Sequence, residues 1–465
     1  MENSVEGSIE ISISTMPNKR IPTYKETLGW LLEQLPMFHR VGPAAYRQGL
    51  DGIQTLCRFI HHPERRLGKV IHVAGTNGKG SVSHMLAAIL QAHGYRTGLF
   101  TSPHLRDFRE RIRVNGQPIE EERVVHWVSR LQQCPDYPQP SFFEFTTAMA
   151  FAHFAESELD FVVIETGLGG RLDSTNIVQP VLTLITHIDW DHMNLLGNTL
   201  PMIAAEKAGI MKRGVPLILG RTQVEEVQSI FENKAHELRC LLYNADQCYR
   251  LKKVPLEDSY AWRVERNGKP GSHLLHCDLL GDYQAENLGQ ALMAVDVLRH
   301  MGEDLEDEKV LQGLSNVSGL TGLQGRWQIW GHHPLRITDV AHNQEGIRAI
   351  LDQIQSTLIR LSQEEEGDQP QAHWVLGMVS DKDHDAVLAL LPKAGHYYFC
   401  APNIPRALPA EVLSEKAKSY HLTGSVWPSV DHAWRAAVSA AGKFDLVIAT
   451  GSFFVVAEIN HCGQN

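Results

Sequence analysis

The chain has 465 residues, of which 43% are hydrophobic and 21% charged, as is usual for a globular enzyme of two or three domains. Its formal charge of −11 argues against the broad basic surface that nucleic-acid binding requires. No apolar run reaches the about 18–20 residues that span a bilayer, and residues 1–22 lack the apolar core of a secretory signal. We therefore expect a flexible leader at residues 1–22 and a cytoplasmic protein without a membrane partner. The seven scattered cysteines, with no C-x-x-C pair, predict free thiols.

The first predicted elements form a βαβ unit, which starts a parallel sheet. Helical periodicity over residues 24–59, interrupted near 41–43, precedes a strand at 69–73, a glycine-rich turn, a helix at 81–93 and a strand at 97–101. Two more buried strands, at residues 160–166 and 181–186, end in polar residues. Ligands of doubly wound sheets bind at the carboxyl ends of the strands, so we expect these polar ends to form a site.

The second half of the chain predicts another, smaller α/β domain. A helix at residues 284–300 is followed by a glycine-rich stretch, in which we place a hinge at residues 320–326. Short apolar strands, separated by helical segments, then occur at residues 335–340, 374–378, 396–400 and 446–450. The acidic run at 363–371 is typical of a solvated loop. The expected fold class is α/β, with an N-terminal parallel-sheet domain at 23–320 and a smaller Rossmann-like domain at 326–465.

Residues 75–81 have the composition of a phosphate-binding loop and suggest that the first domain is a P-loop mononucleotide-binding domain. Glycines let backbone N–H groups close around phosphate oxygens at the start of a helix, and a lysine adds positive charge for the β- and γ-phosphates. The spacing differs from G-x-x-x-x-G-K-[ST], because Val73 stands at the first glycine position. A plain strand–helix turn is the alternative, but the flanking strand and helix favour a nucleotide site. The candidate nucleotide-binding residues are Gly75, Thr76, Asn77, Gly78, Lys79, Gly80 and Ser81.

Polar residues at two neighbouring strand ends predict a magnesium site. Glu165 ends an apolar strand before a glycine-rich turn, where a carboxylate is suited to hold a metal beside the γ-phosphate. The alternative is a solvated glutamate, or one paired with Arg171. The next strand is followed by two carboxylates and two histidines within six residues, which is an unusual density at a strand end; they are His187, Asp189, Asp191 and His192.

With these residues assembled, the sequence resembles the folylpolyglutamate synthase/dihydrofolate synthase family, relatives of the Mur ligases. The resemblance extends over about residues 40–456, and its motifs occur in the family's order. They are G-T-N-G-K-G-S at 75–81, T-S-P-H-L at 101–105, E-R-I at 110–112, G-L-G-G-R-L-D-S-T-N at 167–176, D-H at 191–192, L-G-N-T-L at 196–200, E-K-A-G-I-M-K at 206–212, G-R-W at 325–327, D-V-A-H-N at 339–343 and G-S-F at 451–453.

The resemblance implies an ATP-dependent amide ligase. In this family ATP phosphorylates a substrate carboxylate, and the amine of L-glutamate attacks the acyl phosphate to give an amide, ADP and phosphate. Such phosphoryl transfer depends mainly on positioning and on neutralising charge. The implied ligands are ATP, two Mg²⁺ ions, L-glutamate and either dihydropteroate or a reduced folate, bound by a monomer.

The resemblance also assigns roles to residues at matching positions. Lys207 matches a lysine that is carbamylated in the family, which would turn a cation into an anion; a bare lysine paired with Glu206 is the alternative. Ser102, Glu165 and His192 match magnesium ligands. Asn287 and Arg326 match residues that contact ATP, and Ser452 is a weaker match to the glutamate site. The implied catalytic residues are Lys79, Lys207, Asp339 and His342, and Asp339 also approaches the nucleotide.

Some features separate the rival interpretations, and others leave them open. Mur-type ligases of UDP-sugar peptides carry G-T-N-G-K-T-T, whereas this chain has Gly80 and Ser81 at the last two positions. A non-catalytic nucleotide-binding protein leaves the matches at Lys207 and His342 unexplained. The family often has D-G-A-H-N-P, whereas Val340 and Gln344 replace its glycine and proline here, which puts the shape of that loop in question. The pterin-binding residues, sought at 35–42 and 101–111, do not reveal the preferred folate. We expect both synthase activities.

Overall fold

The computed structural model describes residues 22–37, 49–135, 140–190, 192–221, 223–256, 260–363 and 369–459. The predictions that concern the leader, the helix interruption near residues 41–43, Asp191 and most of the acidic run at 363–371 lie outside these ranges. In the described part of the chain, no helix is both long and apolar enough to cross a bilayer. Six cysteines in this part are free thiols.

The first half of the chain builds a large sheet around a parallel centre. Its strands lie in the order β4-β3-β2-β5-β1-β6-β7-β8, and only β3 and β4, at one edge, run antiparallel to their neighbours. The strands are β1 (Lys69–Ala74), β2 (Thr97–Phe100), β3 (Ile112–Val114), β4 (Gln117–Pro118), β5 (Phe161–Glu165), β6 (Pro180–Ile185), β7 (Leu217–Leu219) and β8 (Leu242–Asn244).

Helices cover both faces of this sheet and explain why its central strands are buried and mainly apolar. They are α1 (Tyr24–Gln34), α2 (Asp51–Phe59), α3 (Lys79–Ala92), α4 (Glu121–Leu131), α5 (Phe142–Glu156), α6 (Met193–Leu196), α7 (Leu200–Ala208), α8 (Glu225–Leu238), α9 (Ala245–Cys248), α10 (Gln284–His300), α11 (Asp307–Ser315) and α12 (Val317–Thr321). Helix α3 packs between the sheet and helices α10, α11 and α12. Its residues from Ser81 to Leu90 are therefore all buried, and this packing fixes the helix that follows β1.

A three-stranded antiparallel sheet extends the first half of the chain and was absent from the sequence prediction. It consists of β9 (Tyr249–Pro255), β10 (Tyr260–Arg266) and β11 (Lys269–Leu275), in the order β11-β10-β9. Strand β9 packs on helix α10, where the Tyr249 hydroxyl donates a hydrogen bond of 2.6 Å to Asp296. The sheet therefore supports the helix that carries Asn287.

The second half of the chain forms a separate six-stranded sheet, as predicted. Its order is β12-β13-β17-β14-β15-β16, parallel except for β12. The strands predicted in both sheets, and the helices predicted at 81–93 and 284–300, begin and end within two residues of their expected bounds. The helical stretch predicted at 24–59 agrees only at its outer ends, since α1 ends at Gln34 and α2 begins at Asp51. The elements here are β12 (Gln328–His332), β13 (Leu335–Thr338), α13 (Gln344–Leu361), β14 (Ala372–Leu376), α14 (His384–Leu388), β15 (His396–Phe399), α15 (Ala410–Lys418), β16 (Gly424–Val426), α16 (Val430–Ala440), β17 (Leu446–Thr450) and α17 (Phe453–Glu458).

The stretch in which we predicted a hinge joins the two large sheets. Helix α12 extends to Thr321, so the first part of the glycine-rich stretch is helical. Gly322 and Gly325 then adopt positive φ angles of 72° and 73°, which turn the chain towards β12. The connection brings the start of α13 against the carboxyl-terminal edge of the first sheet, where Asn77 Nδ2 donates to Glu345 Oε2 at 2.8 Å.

Candidate active site

The site begins where three neighbouring strands of the first sheet end together. The N–H of Thr166 after β5 donates to Val73 O at 2.9 Å, and the N–H of Thr186 after β6 donates to Ala74 O at 2.9 Å. Strand β1 therefore ends between β5 and β6, at the point where the strand order diverges to either side. Such a topological switch point is where an open α/β sheet leaves a crevice for a ligand.

The glycine-rich turn after β1 has a conformation that only glycine fits. Gly75 and Gly78 have φ angles of 149° and 86°. A Cβ at Gly75 would lie 1.9 Å from Thr186 Oγ1, and one at Gly78 would lie 2.5 Å from Asn287 Oδ1. The Thr186 hydroxyl also donates to Asn77 O at 2.6 Å, which ties the loop to β6. Because the loop leads into the start of α3, its geometry fits a phosphate-binding cradle.

Lys79 lies at the rim of this cradle, as a phosphate-binding lysine should. Its Nζ donates to the carbonyl oxygens of Gly75 and Thr76, each at 3.0 Å. These two hydrogen bonds hold the ammonium group over the loop, where Lys79 lines the cavity. A single positive charge at this place is suited to neutralise a transferring phosphoryl group.

Glu165 is a buried carboxylate beside the phosphate loop. It is 4% exposed, and its Oε2 accepts a hydrogen bond of 3.1 Å from the N–H of Ser102. Burial raises its pKa above the ordinary value, whereas the positive charge of Lys79 acts in the opposite direction. A divalent cation would stabilise this buried charge, so the donor set fits a magnesium site. Ser102, Glu165 and His192 all line the same cavity.

Replacing Glu165 by glutamine is expected to weaken binding of the metal–nucleotide complex. The amide keeps the size of the side chain and can still accept from Ser102, but it removes the charge that attracts the cation. We expect the Kd for Mn²⁺ in the presence of an ATP analogue to rise about tenfold or more. Electron paramagnetic resonance of free Mn²⁺ measures this directly. An unchanged Mn²⁺ affinity would contradict the predicted metal ligand.

Lys207 lies beneath the phosphate loop rather than in the cavity wall. This residue of α7 is 3% exposed, and its Nζ donates to Gly75 O at 2.8 Å. The neighbouring Glu206 forms an ion pair with Arg171, with 2.8 Å between Nη2 and Oε1. Arg171, considered above as a partner for Glu165, is thus engaged by Glu206. The side chain of Lys207 is close enough to the loop to influence whatever binds there.

Asp339 follows β13 and is held by three donors. Its Oδ2 accepts from the Tyr283 hydroxyl at 2.6 Å and from the N–H of Trp327 at 2.8 Å, while Oδ1 accepts from the N–H of Ala341 at 2.9 Å. The pKa of this carboxyl is raised overall because the group is buried, and the hydrogen bond from Tyr283 opposes part of that shift. Since Tyr283 precedes α10, this contact joins the two halves of the chain at the site.

Arg326 and His342 lie on the second half of the chain and line the cavity, and Arg326 is close to the phosphate loop. A Cβ at Gly80 would stand 3.5 Å from Arg326 Nη2, so the guanidinium lies directly over the loop. The guanidinium carbon of Arg326 lies 5.1 Å from the ring centre of Phe453. The ring of His342 packs edge-to-face against the same phenylalanine, with 5.7 Å between the ring centres. Both polar side chains are thereby oriented by one aromatic ring.

One cavity of about 980 Å³ brings most of the predicted residues together. Its wall comes from the carboxyl edge of the first sheet and from loops of the second half of the chain. Gly75 and Lys207 lie outside this lining, in hydrogen-bond contact with each other. The predicted residues that line the cavity are Thr76, Asn77, Gly78, Lys79, Gly80, Ser81, Ser102, Glu165, His192, Asn287, Arg326, Asp339, His342 and Ser452.

The cavity also has lining residues that were not predicted from the sequence: the aromatic side chains of Phe142 and Phe143 on α5, and the basic side chains of Lys382 and Arg406 in the second half. Met37, which also lines the cavity, belongs to the segment 35–42 in which the pterin-binding residues were sought. A local signal existed for the aromatic part. The Ser141 side chain accepts from the Glu144 N–H in a capping box. This pattern marks S-F-F-E as the start of a helix whose first two residues are phenylalanines.

Two family models match the chain in the regions just described. The Mur ligase middle domain matches residues 73–295, and the glutamate ligase domain of Mur ligases matches residues 325–453. Together with the phosphate loop and the shared cavity, these matches define the class of the protein. It is an ATP-dependent acid–amino-acid ligase of the Mur ligase superfamily.

The chain belongs to the dihydrofolate synthase/folylpolyglutamate synthase family. It is 32% identical to the Bacillus subtilis dihydrofolate synthase/folylpolyglutamate synthase over 94% of this chain and 98% of that protein. The Escherichia coli enzyme in complex with DHPP and ADP has a TM-score of 0.77 at 29% identity, covering 94% and 96% of the two chains. A bifunctional relative with Mn, AMPPNP and L-glutamate bound has a TM-score of 0.75 at 30% identity, covering 94% and 98%.

Proposed function

We propose that this enzyme uses ATP to activate the carboxylate of dihydropteroate or of a reduced folate and joins it to L-glutamate. It would thus act as both a dihydrofolate synthase and a folylpolyglutamate synthase. The observation that carries the proposal is the single cavity, in which a phosphate loop, an aromatic wall and basic side chains of the second half face one another. Relatives of similar length carry both names, and their structures bind an ATP analogue, a divalent metal and L-glutamate.

The first sheet would hold ATP and its metal. Backbone N–H groups of the phosphate loop would bind the β- and γ-phosphates, while Lys79 and Arg326 offset their negative charge. Ser102, Glu165 and His192 would hold magnesium, which supplies further charge neutralisation when bound. The proposal includes the two Mg²⁺ ions that the family resemblance implies.

The aromatic and basic parts of the cavity would hold the other two substrates. The pterin and aminobenzoyl groups each carry a planar ring that can stack on aromatic and apolar side chains, and Phe142, Phe143 and Met37 offer such a surface. L-Glutamate carries two carboxylates, and Lys382 and Arg406 offer complementary charge on the opposite wall. This division assigns the pterin to residues 23–320 and glutamate to residues 326–465, with closure at the hinge of 320–326.

The reaction would proceed in two displacements. A carboxylate oxygen of the pteroate or folate attacks the γ-phosphorus, and the bond to the β–γ bridging oxygen breaks to release ADP. The glutamate nitrogen then attacks the acyl carbon, and phosphate leaves. Lys79 and Arg326 stabilise the negative charge of the first step, while Asp339 and His342 position the nucleotide and the reacting groups. Closure of the two halves would exclude water, which otherwise hydrolyses an acyl phosphate.

We also propose a covalent modification of one lysine. Lys207 would be carbamylated, because it lies buried at Gly75, below the position where a phosphate would sit. The anion so formed would hold the second magnesium ion or order the activated carboxylate. We also propose that the enzyme acts as a monomer in the cytoplasm.

The proposal is tested by phosphate release from the purified full-length protein with ATP, Mg²⁺ and L-glutamate. Dihydropteroate and tetrahydrofolate are supplied in parallel, and each is expected to support turnover. Phosphate release should require both substrates. The acceptor carboxylate receives the phosphoryl group, and the amine of L-glutamate then displaces phosphate from the acyl phosphate. Turnover with only one acceptor would reduce the proposal to one synthase. The proposal would be overturned if the rate of phosphate release were the same with and without L-glutamate, or if turnover occurred only with a UDP-sugar peptide.

A further inference from the structure

A cluster of three possible metal ligands lies in the cavity, and two of them, His187 and Asp189, belong to the strand-end group considered above for magnesium. The ring nitrogen of His187 and one carboxylate oxygen each of Asp189 and Glu345 all lie within 4.8 Å of one another. His187 Nε2 and Glu345 Oε1 are 2.5 Å apart. The three side chains are partly buried and line the cavity. This spacing is small enough for one ion to contact all three after small side-chain rotations.

The backbone beneath each ligand is held by other contacts. Two ligands follow β6, where the N–H of Thr76 donates to His187 O at 2.7 Å and the N–H of Asp189 donates to Thr76 Oγ1 at 3.1 Å. The third belongs to the first turn of α13, which Asn343 caps by accepting from the N–H of Gly346 at 2.8 Å. The ligand set is thus carried by anchored segments from both halves of the chain, which is the preorganisation that a metal site requires.

The cluster brings the carboxylates of Asp189 and Glu345 close together. Glu345 Oε2 accepts from Asn77 Nδ2 at 2.8 Å, and its other oxygen contacts His187 Nε2. Arg221 lies 3.9 Å from Glu345 and is half-exposed, so it compensates only part of the charge. Two carboxylates this close repel each other unless a cation is shared between them.

We propose that His187, Asp189 and Glu345 bind a divalent transition-metal ion of the zinc type. Zinc commonly takes three protein ligands from imidazole nitrogen and carboxylate oxygen and leaves a fourth position to water. One imidazole nitrogen combined with two carboxylate oxygens is a donor set that zinc accepts. The site is distinct from the proposed magnesium site, because it shares no ligand with Ser102, Glu165 or His192.

Such an ion would join the two halves of the chain. His187 and Asp189 belong to the loop after the first sheet's β6, whereas Glu345 belongs to α13 beside the second sheet. Because all three ligands meet only when these segments are in contact, the ion would stabilise this contact between the two halves. The inference does not depend on the proposed reaction, since binding is measurable without turnover.

The test is isothermal titration of Zn²⁺ into the full-length protein, with Mg²⁺ in excess and no nucleotide. The wild type is expected to bind one equivalent of Zn²⁺. His187→Ala and Glu345→Gln are each expected to raise the Kd by about 100-fold, because each removes a direct ligand. Glutamine at 345 keeps the size of the side chain and an oxygen that accepts from Asn77. Retention of helical circular dichroism and Tm in both variants shows that the fold is intact.

Two histidine controls make the result specific. His236 is an exposed imidazole on α8, far from the cavity lining, so His236→Ala should leave Zn²⁺ affinity unchanged. His192→Ala removes a proposed magnesium ligand and should also retain the zinc site. The proposal is overturned if the wild type binds no Zn²⁺ or if His187→Ala binds it normally. It is equally overturned if His192→Ala loses Zn²⁺ as fully as His187→Ala, because the ion would then occupy the nucleotide-metal site.

Discussion

Replacing Lys79 by methionine is expected to lower kcat about 10³-fold, the largest effect of any cavity substitution. Methionine keeps an unbranched side chain at the start of α3 but removes the charge that Lys79 holds over Gly75 and Thr76. Charge at this place stabilises the transferring phosphoryl group more than bound ATP, so kcat falls more than ATP affinity. The measurement is phosphate release at saturating substrates, with the Kd of ATP determined separately.

A surface lysine provides the matched control for this variant. Lys252 on β9 is exposed and pairs with Glu265 at 2.7 Å, and such surface pairs contribute only about 0–1 kcal/mol. Lys252→Met should therefore turn over at the wild-type rate. If Lys79→Met retained more than about a tenth of the wild-type kcat with an unchanged Tm, the loop would bind something other than the transferring phosphate.

The central strands of both large sheets were predictable because their signal is local, whereas the strands at the sheet edges, β3, β4, β7, β8, β12 and β16, were not predicted. A strand buried on both faces is a short, continuous apolar run, and helices between such runs show apolar residues at helical spacing. The three-stranded sheet was missed although its turn is marked in the sequence. Asn267 and Gly268 have φ angles of 49° and 74° between β10 and β11, the conformation for which Asn-Gly is preferred in two-residue hairpins. Asn115 and Gly116 form the corresponding turn between β3 and β4, with φ angles of 47° and 75°.

The sequence predicts which site residues lie together when they follow neighbouring strands of one sheet. It does not predict contacts between residues of the two halves of the chain. The ends of β1, β5 and β6 share one edge in any parallel sheet, so Lys79, Glu165 and His192 were expected to lie together. The hydrogen bond from Tyr283 to Asp339 has no such local signal. It depends on how the second sheet is placed against the first, and neither periodicity nor motif spacing encodes that placement.

The second large effect is expected at Lys207, where alanine should lower kcat about 10²–10³-fold. The side chain is buried, and its Nζ lies 2.8 Å from Gly75 O, so a carbamate formed on this nitrogen would place an anion against the phosphate loop. Alanine removes both the nitrogen and the anion and leaves space beneath the loop. Acetate or formate that enters this space should restore part of the activity. The measurement is phosphate release as a function of added short-chain carboxylate.

A carbamate has its own signature, which separates it from a structural role of Lys207. Wild-type protein equilibrated with ¹³C-bicarbonate should show a carbamate carbonyl resonance that Lys207→Ala lacks. Lys212 is a useful comparison, because its Nζ is also partly buried and donates to Asn176 Oδ1 at 2.8 Å. Lys212→Ala should keep the carbamate resonance, and carboxylates should not restore any activity that it loses. Normal turnover by Lys207→Ala would refute the assignment. A loss without rescue or resonance would leave Lys207 as a support for Gly75, because a bare ammonium hydrogen bond then accounts for the whole effect.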